Sequence, residues 1–206
     1  PVYGGRLPAL AVKRISQIKG SGTPAVVVAV YGNRAYDDAL LELRDLVRQN
    51  GFVPVAGAAF IGEHSFSDAK TPIAKGRPDR RDLEKAKRFG ASVIDKLKDI
   101  DRLDSQPPLH VPGKFPYQPY MAPSGISPET DSTLCSLCEA CFNVCPTGAI
   151  RMDNEIITDA ALCIVCCACV KECPNGARMI EAPRIQKIAQ WLNANCRDRK
   201  EPEIFV

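Results

Sequence analysis

The sequence predicts two folds in one chain: a partial α/β parallel sheet, and after it a small α+β module rich in cysteine. Three observations support this division. A β-branched run at residues 24–31 lies between helical patterns, seven prolines fall within residues 107–128, and nine of the ten cysteines lie between Cys135 and Cys173. We therefore expect an α/β domain at 1–106, a linker at 107–128, a cysteine-rich domain at 129–182, and a C-terminal helix and tail at 183–206.

The first domain alternates helix and strand patterns. Helices are predicted over residues 8–19, 38–49 and 79–100, and strands over residues 24–31 and 52–61. Asp38 would cap the second helix with its side chain. The inward face of the third helix would carry Leu83, Ala86, Val93, Leu97 and Ile100. Short continuous apolar runs are typical of parallel strands that are buried on both faces. The α-β-α-β-α order predicts that right-handed crossovers connect these strands.

Proline dominates the segment between the domains. A helix cannot accommodate this density of proline, so residues 107–128 should be extended, semi-rigid and solvated. Beyond the cysteines, residues 183–196 have helical spacing, with Ile185, Ile188 and Leu192 on one face.

Composition and charge exclude several classes of protein. The 206 residues are 45% hydrophobic and 25% charged, as in ordinary globular proteins, and no apolar run could span a membrane. The net charge of +3 is uneven, because residues 128–181 carry −5 and the remainder +8. The basic residues are scattered, so nucleic-acid binding is not expected. Clustered cysteines and no visible secretory signal predict metal ligation in a reducing, cytoplasmic compartment.

The cysteines form one internal repeat. Both copies read C-x2-C-x2-C-x3-C-P, and the second is shifted by 28 residues. The first copy is Cys135, Cys138, Cys141 and Cys145; the second is Cys163, Cys166, Cys169 and Cys173. The shift also aligns Gly148 with Gly176. A duplication of this kind predicts two structural units related by a pseudo-twofold axis.

The spacing predicts two [4Fe–4S] clusters. Three cysteines separated by two residues each can surround one face of a cubane, whereas the fourth reaches the other cluster. Cluster I would use Cys135, Cys138, Cys141 and Cys173, and cluster II would use Cys163, Cys166, Cys169 and Cys145. Zinc is the alternative, although zinc sites use paired CxxC knuckles or Cys with His. Cys167 and Cys196 are expected to be small buried residues. Residues 128–181 resemble the bacterial two-cluster ferredoxins, which implies transfer of single electrons.

Two further segments place an aromatic residue beside glycine at the predicted end of a strand. Tyr3-Gly4 follows Pro1-Val2, and Tyr31-Gly32-Asn33-Arg34-Ala35-Tyr36 follows the first complete strand. In open α/β sheets, ligands bind outside the carboxyl ends of the strands. These loops are therefore a candidate site for a planar cofactor, and ordinary packing of the tyrosines is the alternative.

Residues 1–100 resemble the flavodoxins through these two loops. The resemblance implies that Tyr3 stacks on the inner face of FMN and Tyr36 on the outer face, and that Gly32 and Asn33 bind the isoalloxazine edge through backbone. Pro1, Val2, Gly4 and Tyr31 would complete the loops. Residues 60–65 and 75–79 further resemble flavodoxin–ferredoxin fusion proteins of anaerobes, with His64 after the last strand.

The sequence departs from flavodoxins at the phosphate site, because it has no Thr/Ser-Gly-rich loop before a helix. By the family's order it starts at the end of the third strand. The resemblance therefore implies a further N-terminal segment, with three strands, two helices and the phosphate loop, on this polypeptide or on a companion chain.

Three functions follow as hypotheses. The first is an electron carrier that passes single electrons between FMN and two [4Fe–4S] clusters, with redox proteins as partners. The second is an FMN-dependent reductase of a small acceptor. The third is a ferredoxin whose α/β domain docks a partner without binding flavin.

Overall fold

The described chain divides into two compact units. A computed structural model describes residues 1–99, 107–121 and 124–206. The α/β unit lies within residues 1–64, 73–120 and 196–206, and the cysteine-rich unit within residues 65–72 and 121–195. The elements in chain order are α1 (Ala9–Ile15), β1 (Thr23–Tyr31), α2 (Ala39–Gln49), β2 (Phe52–Ile61), α3 (Arg80–Lys98), β3 (Glu129–Thr130), α4 (Ala140–Asn143), β4 (Ile150–Met152), β5 (Ile156–Thr158), α5 (Ala168–Lys171), β6 (Arg178–Met179), α6 (Pro183–Asn195) and β7 (Glu203–Phe205).

The sheet of the α/β unit has the strand order β1-β2-β7. β1 and β2 are parallel, as predicted, and the antiparallel β7 pairs with the other edge of β2. On one face, Leu40 of α2 packs with Val27 and Ala29 of β1. On the other face, Phe89 of α3 packs with Ala56 of β2. The mixed α/β fold with parallel strands is thus confirmed.

The prediction that both strands are buried on both faces holds for β2 and is wrong for β1. Side chains alternate along β1, so Val27 lies in the core whereas Val26, Val28 and Val30 are exposed. The reason is the position of α3, which covers β2 and leaves the neighbouring face of β1 open.

The bounds of α2 and β2 agree with prediction. The end of α1 and the inward face of α3 differ from it. α1 ends at Ile15 and leaves Ile18 exposed. On α3, Phe89 and Val93 face inward, but Leu83 is 58% exposed, and the predicted contact of Ile100 lies outside the described residues. The inward position next to Leu83 belongs to Asp82, whose carboxylate is held by the guanidinium of Arg77. A buried ion pair therefore takes a position that hydrophobicity assigned to leucine.

Residues 107–120 of the proline-rich segment contain no helix or strand and most of them are exposed, as predicted, but they do not form a separate linker. Residues 107–120 belong to the α/β unit, and Leu109 lies in its core. The carboxylate of Asp38 accepts backbone hydrogen bonds from Lys114 (2.9 Å) and Gln118 (2.8 Å). It makes no side-chain cap on α2, because the proline-rich segment supplies its donors instead.

The cysteine-rich unit is built from two antiparallel strand pairs, β3 with β6 and β4 with β5. Each pair joins a strand of one repeat to a strand of the other. The α6 helix belongs to this unit and buries Ile185 and Leu192. Within the described ranges, no helix combines the length and apolar character that a membrane crossing requires.

Candidate metal centre

The two cysteine loops share one backbone conformation. α4 and α5 are offset by 28 residues, the shift of the sequence repeat. Leu137 and Val165 both have positive φ (53° and 54°), and so do Glu139 and Cys167 (63° and 59°). Positive φ is costly for non-glycine residues, above all for a β-branched valine, and such strain concentrates at binding sites. Both C-x2-C-x2-C segments thus curve in a way that suits loops closing around a group.

The first candidate ligand set surrounds a cavity. Its lining includes Cys135, Cys138 and Cys141 of the first repeat and Cys173 of the second. The cross-ligation hypothesis assigns these four thiols to cluster I. The cavity wall also contains the side chain of Arg178. Burial raises the pKa of the Cys141 thiol, and the nearby charge of Arg178 opposes that rise.

The second candidate set brings Cys145 to the other repeat. Burial raises the pKa of the Cys163 and Cys166 thiols, and neighbouring thiolates, that of Cys145 included, raise it further. Cys145 therefore lies within electrostatic range of Cys163 and Cys166, as the cross-ligation hypothesis expects. A cluster would relieve the repulsion, because iron neutralises ligating thiolates.

Hydrogen bonds reach the sulfur of the fourth cysteine in each repeat. Burial disfavours the thiolate of Cys145, but the Thr147 hydroxyl (3.6 Å from the sulfur) and backbone N–H groups lower its pKa on balance. In the second repeat, the Ala177 N–H lies 3.2 Å from the sulfur of Cys173. Such N–H···S contacts stabilise charge on cluster ligands and influence the reduction potential.

The remaining two cysteines differ from each other. Cys167 is buried, and burial raises its pKa to about 12, so its thiol is expected to stay protonated. Cys196 is only half-buried, which corrects the expectation that it is a buried residue.

The arrangement suits a cubane better than a single metal ion. Among the residues that the structure describes, no three His, Cys, Asp or Glu side chains converge closely enough to hold one ion. Four thiolates of a zinc site must meet at one atom, whereas those of a [4Fe–4S] cluster bind four separate irons. The four thiols that line one cavity are the number that a [4Fe–4S] cluster requires.

One comparison with known proteins matches the first repeat. Residues 128–151 match the family model of the 4Fe-4S binding domain. No curated protein and no solved structure matches the chain. The match contains the first four candidate ligands, and it supports iron–sulfur electron transfer with at least one [4Fe–4S] cluster.

Outside the 4Fe-4S domain, the Tyr3 loop lies beside the end of β1. The N–H of Val2 donates to the carbonyl of Val30 (3.1 Å). Pro1 and Gly4 are exposed and Tyr3 is half-buried. This loop also adjoins the second candidate loop, because the Asp38 N–H donates to the carbonyl of Gly5 (3.0 Å).

The tyrosines of the second loop face the interior of the α/β unit. Tyr31 and Tyr36 lie in the apolar core, and their ring centroids are 5.3 Å apart. Tyr36 is 6% exposed, and its hydroxyl donates to the carboxylate of Glu203 on β7 (2.8 Å). The face assigned to flavin is therefore occupied by protein.

The side chain of Asn33 and the space beside Gly32 are occupied by protein as well. The side-chain amide of Asn33 donates to the carbonyls of Cys196 (2.8 Å) and Asp198 (2.9 Å). A Cβ on Gly32 would lie 2.2 Å from the ring of His64, so only glycine fits there. These contacts bind the loop to the C-terminal segment and to the loop after β2.

Sequence reasoning missed one functional candidate, Arg178. The repeat contains a signal that could have found it: the shift of 28 residues pairs Arg178 with Ile150, an arginine with an apolar residue.

Proposed function

We propose that this protein is an electron carrier that holds two [4Fe–4S] clusters and passes single electrons between redox proteins. One observation carries the proposal: Cys173 of the second repeat lines the same cavity as Cys135, Cys138 and Cys141 of the first. This grouping is what two clusters with exchanged fourth ligands require.

The ligand set determines the class of chemistry. In a cubane with four cysteine ligands, every iron has a protein ligand, so no coordination position stays open for a substrate. Such a centre gains and loses one electron, and the protein sets its potential through charge, hydrogen bonds and burial. The proposal includes a cytoplasmic location and no binding of nucleic acid.

Analysis of the metal content tests this function directly. Protein purified without oxygen should contain about eight iron and about eight sulfide per chain, four of each per cluster. Reduction with dithionite should then produce the EPR spectrum of two interacting reduced clusters. About four iron with an isolated-cluster spectrum would limit the proposal to one cluster, and zinc in place of iron would refute it.

FMN is the finer part of the proposal. In its favour, the Tyr3 loop and the loop after β1 are joined by the hydrogen bond between Asp38 and Gly5 at one end of the sheet. Against it, the ring of Tyr36 and the amide of Asn33 are bound within the fold. Because Tyr36 is 6% exposed within the apolar core, a flavin could stack on its ring only if that core rearranged.

Acid release of flavin distinguishes the two versions of the proposal. If the purified holoprotein releases about one flavin per chain, the α/β unit is the flavin site of the carrier. If it releases none, also after incubation with added FMN, the flavin version fails and the flavin-free docking module remains as the alternative. Tyr3→Ala should weaken FMN binding in the first case, and the exposed Phe115→Ala serves as the control.

A further inference from the structure

Arg178 is a buried cation without a carboxylate partner in the described part of the chain. Arg178 is 3% exposed, and none of the ion pairs among the described residues includes its guanidinium. Its guanidinium donates to the hydroxyl oxygens of Thr130 (2.5 Å) and Thr158 (2.7 Å). The Nε atom is buried and meets no acceptor among the described residues.

Arg178 forms hydrogen bonds with equivalent residues of both repeats. The shift of 28 residues converts Thr130 into Thr158, so the guanidinium bridges two equivalent threonines. The counterpart of Arg178 is Ile150, which is 2% exposed and packs with Cys141 and Cys169. The pseudo-twofold symmetry is thus broken at a buried position, where one repeat has an apolar side chain and the other a charge.

The same side chain lies near cysteines of both candidate clusters. One guanidinium nitrogen lies 3.7 Å from the sulfur of Cys169, which is assigned to cluster II. The side chain also lines the cavity formed by the cysteines assigned to cluster I. A buried guanidinium is costly unless an anion compensates its charge. A [4Fe–4S] cluster with four thiolates is such an anion, and it gains one further negative charge on reduction.

We propose that Arg178 is an internal counter-ion shared by the two clusters, and that it raises the reduction potential of both. This inference rests on the proposed function, since it requires the clusters. The step concerned is the addition of one electron to a cluster, supplied by the redox partner in the cell and by dithionite in the test, with no bond made or broken. A fixed positive charge favours the reduced form, because reduction adds negative charge beside it in a poorly solvated interior.

Reduction potentials of the holoprotein test the proposal. In an EPR-monitored redox titration, Arg178→Ile, which copies the residue of the other repeat, should lower both potentials. The expected shift is about tenfold or more in the one-electron equilibrium, about 59 mV for each factor of ten. Arg178→Lys, which keeps the charge, should stay closer to wild type. The control is Arg151→Met, which removes an exposed charge next to Ile150 and installs the residue of the other repeat.

Each outcome decides the matter. Unchanged potentials in a fully loaded Arg178→Ile protein would overturn the proposal, and so would an equal shift in Arg151→Met. If Arg178→Ile loses iron while Arg178→Lys keeps it, the charge is required to hold the clusters, which supports the counter-ion. If Arg178→Lys loses iron as well, the role is the hydrogen-bonded geometry with Thr130 and Thr158, and the proposal fails. Wild-type iron content tests the proposed function separately.

Discussion

In the α/β unit, the buried clusters consist mainly of aliphatic and aromatic side chains from the sheet and its helices, such as Leu40 and Ile61. In the cysteine-rich unit, the buried cluster consists of Ile150, Ile156 and two candidate ligands, Cys141 and Cys169. Burial of these apolar side chains stabilises the first unit by packing. The second has a small apolar core and short strands, and its centre is built from cysteines. We infer that the cysteine-rich unit depends on its cofactor and the α/β unit does not.

Removal of iron should therefore separate the two units. After chelation under oxidising conditions and reduction of any disulfides, the amide hydrogens of residues 128–181 should lose protection from exchange, because only a small apolar core remains without the cofactor. Amide hydrogens of β1 and β2 should stay protected, and these strands serve as the internal control. Hydrogen exchange read by mass spectrometry makes the measurement. Full protection of residues 128–181 in iron-free protein would show that packing alone holds this unit.

Replacement of the fourth cysteine of one repeat should remove the cluster that the other repeat holds. Cys145→Ser should remove the cluster held by the second repeat, so that its EPR spectrum matches that of Cys163→Ser and the iron content falls to about four per chain. Cys167→Ser is the matched control, since its buried thiol is not a predicted ligand and both clusters should remain. A spectrum of Cys145→Ser that matches Cys135→Ser instead would exclude cross-ligation.

Within the α/β unit, a buried ion pair should dominate the response to acid. The carboxylate of Glu42 accepts hydrogen bonds from Arg6 (2.8 and 2.9 Å), the Leu7 N–H (2.9 Å) and the Tyr120 hydroxyl (2.7 Å). Burial disfavours the charged form, but these donors outweigh it and lower the pKa of Glu42 below 4.5. A depressed carboxyl pKa stabilises the fold at pH values above the unfolded-state pKa, and that contribution is lost as the pH falls through the folded-state pKa.

Glu42→Gln tests this contribution. At neutral pH it should lower the free energy of unfolding of the α/β unit by about 3–5 kcal/mol, because the buried Arg6 loses its counter-charge. It should also flatten the decline in stability below about pH 4.5, which urea unfolding at several pH values would reveal. Glu84→Gln, in an exposed pair with Arg80, should change neither quantity appreciably. Equal losses in the two variants would mean that the Arg6–Glu42 pair has no special role.

The two units also differ in how far the sequence predicts them. The cysteine spacing predicts the repeated loops because ligands of one cubane must recur at short, fixed intervals. The bounds of β2 follow from its apolar run, which requires no knowledge of distant residues. The contacts of Asp38 could not be predicted in this way, because its donors, Lys114 and Gln118, are about 80 positions away in the sequence. The apolar periodicity of α3 likewise predicts that Leu83 faces inward, whereas Asp82 does. The buried ion pair between Asp82 and Arg77 could not be predicted, because it produces no periodic pattern in the sequence.

The smallest expected effect concerns the proline-rich segment. The sequence predicts a linker at residues 107–120, whereas the structure assigns these residues to the α/β unit. The hydroxyl of Tyr117 donates to the carboxylate of Asp45 (2.6 Å), and the Arg6 guanidinium lies 4.9 Å from the ring centroid. Tyr117→Phe keeps the ring over Arg6 and removes only the hydrogen bond, so the free energy of unfolding should fall by about 1 kcal/mol. Phe115→Leu, at a side chain that is 78% exposed, should change it by less than about 0.5 kcal/mol. Because a solvated linker would respond to neither substitution, hydrogen exchange of residues 107–120 should rise in Tyr117→Phe alone. Unchanged exchange in both variants would mean that the segment contributes little to the α/β unit, despite its contacts with α2.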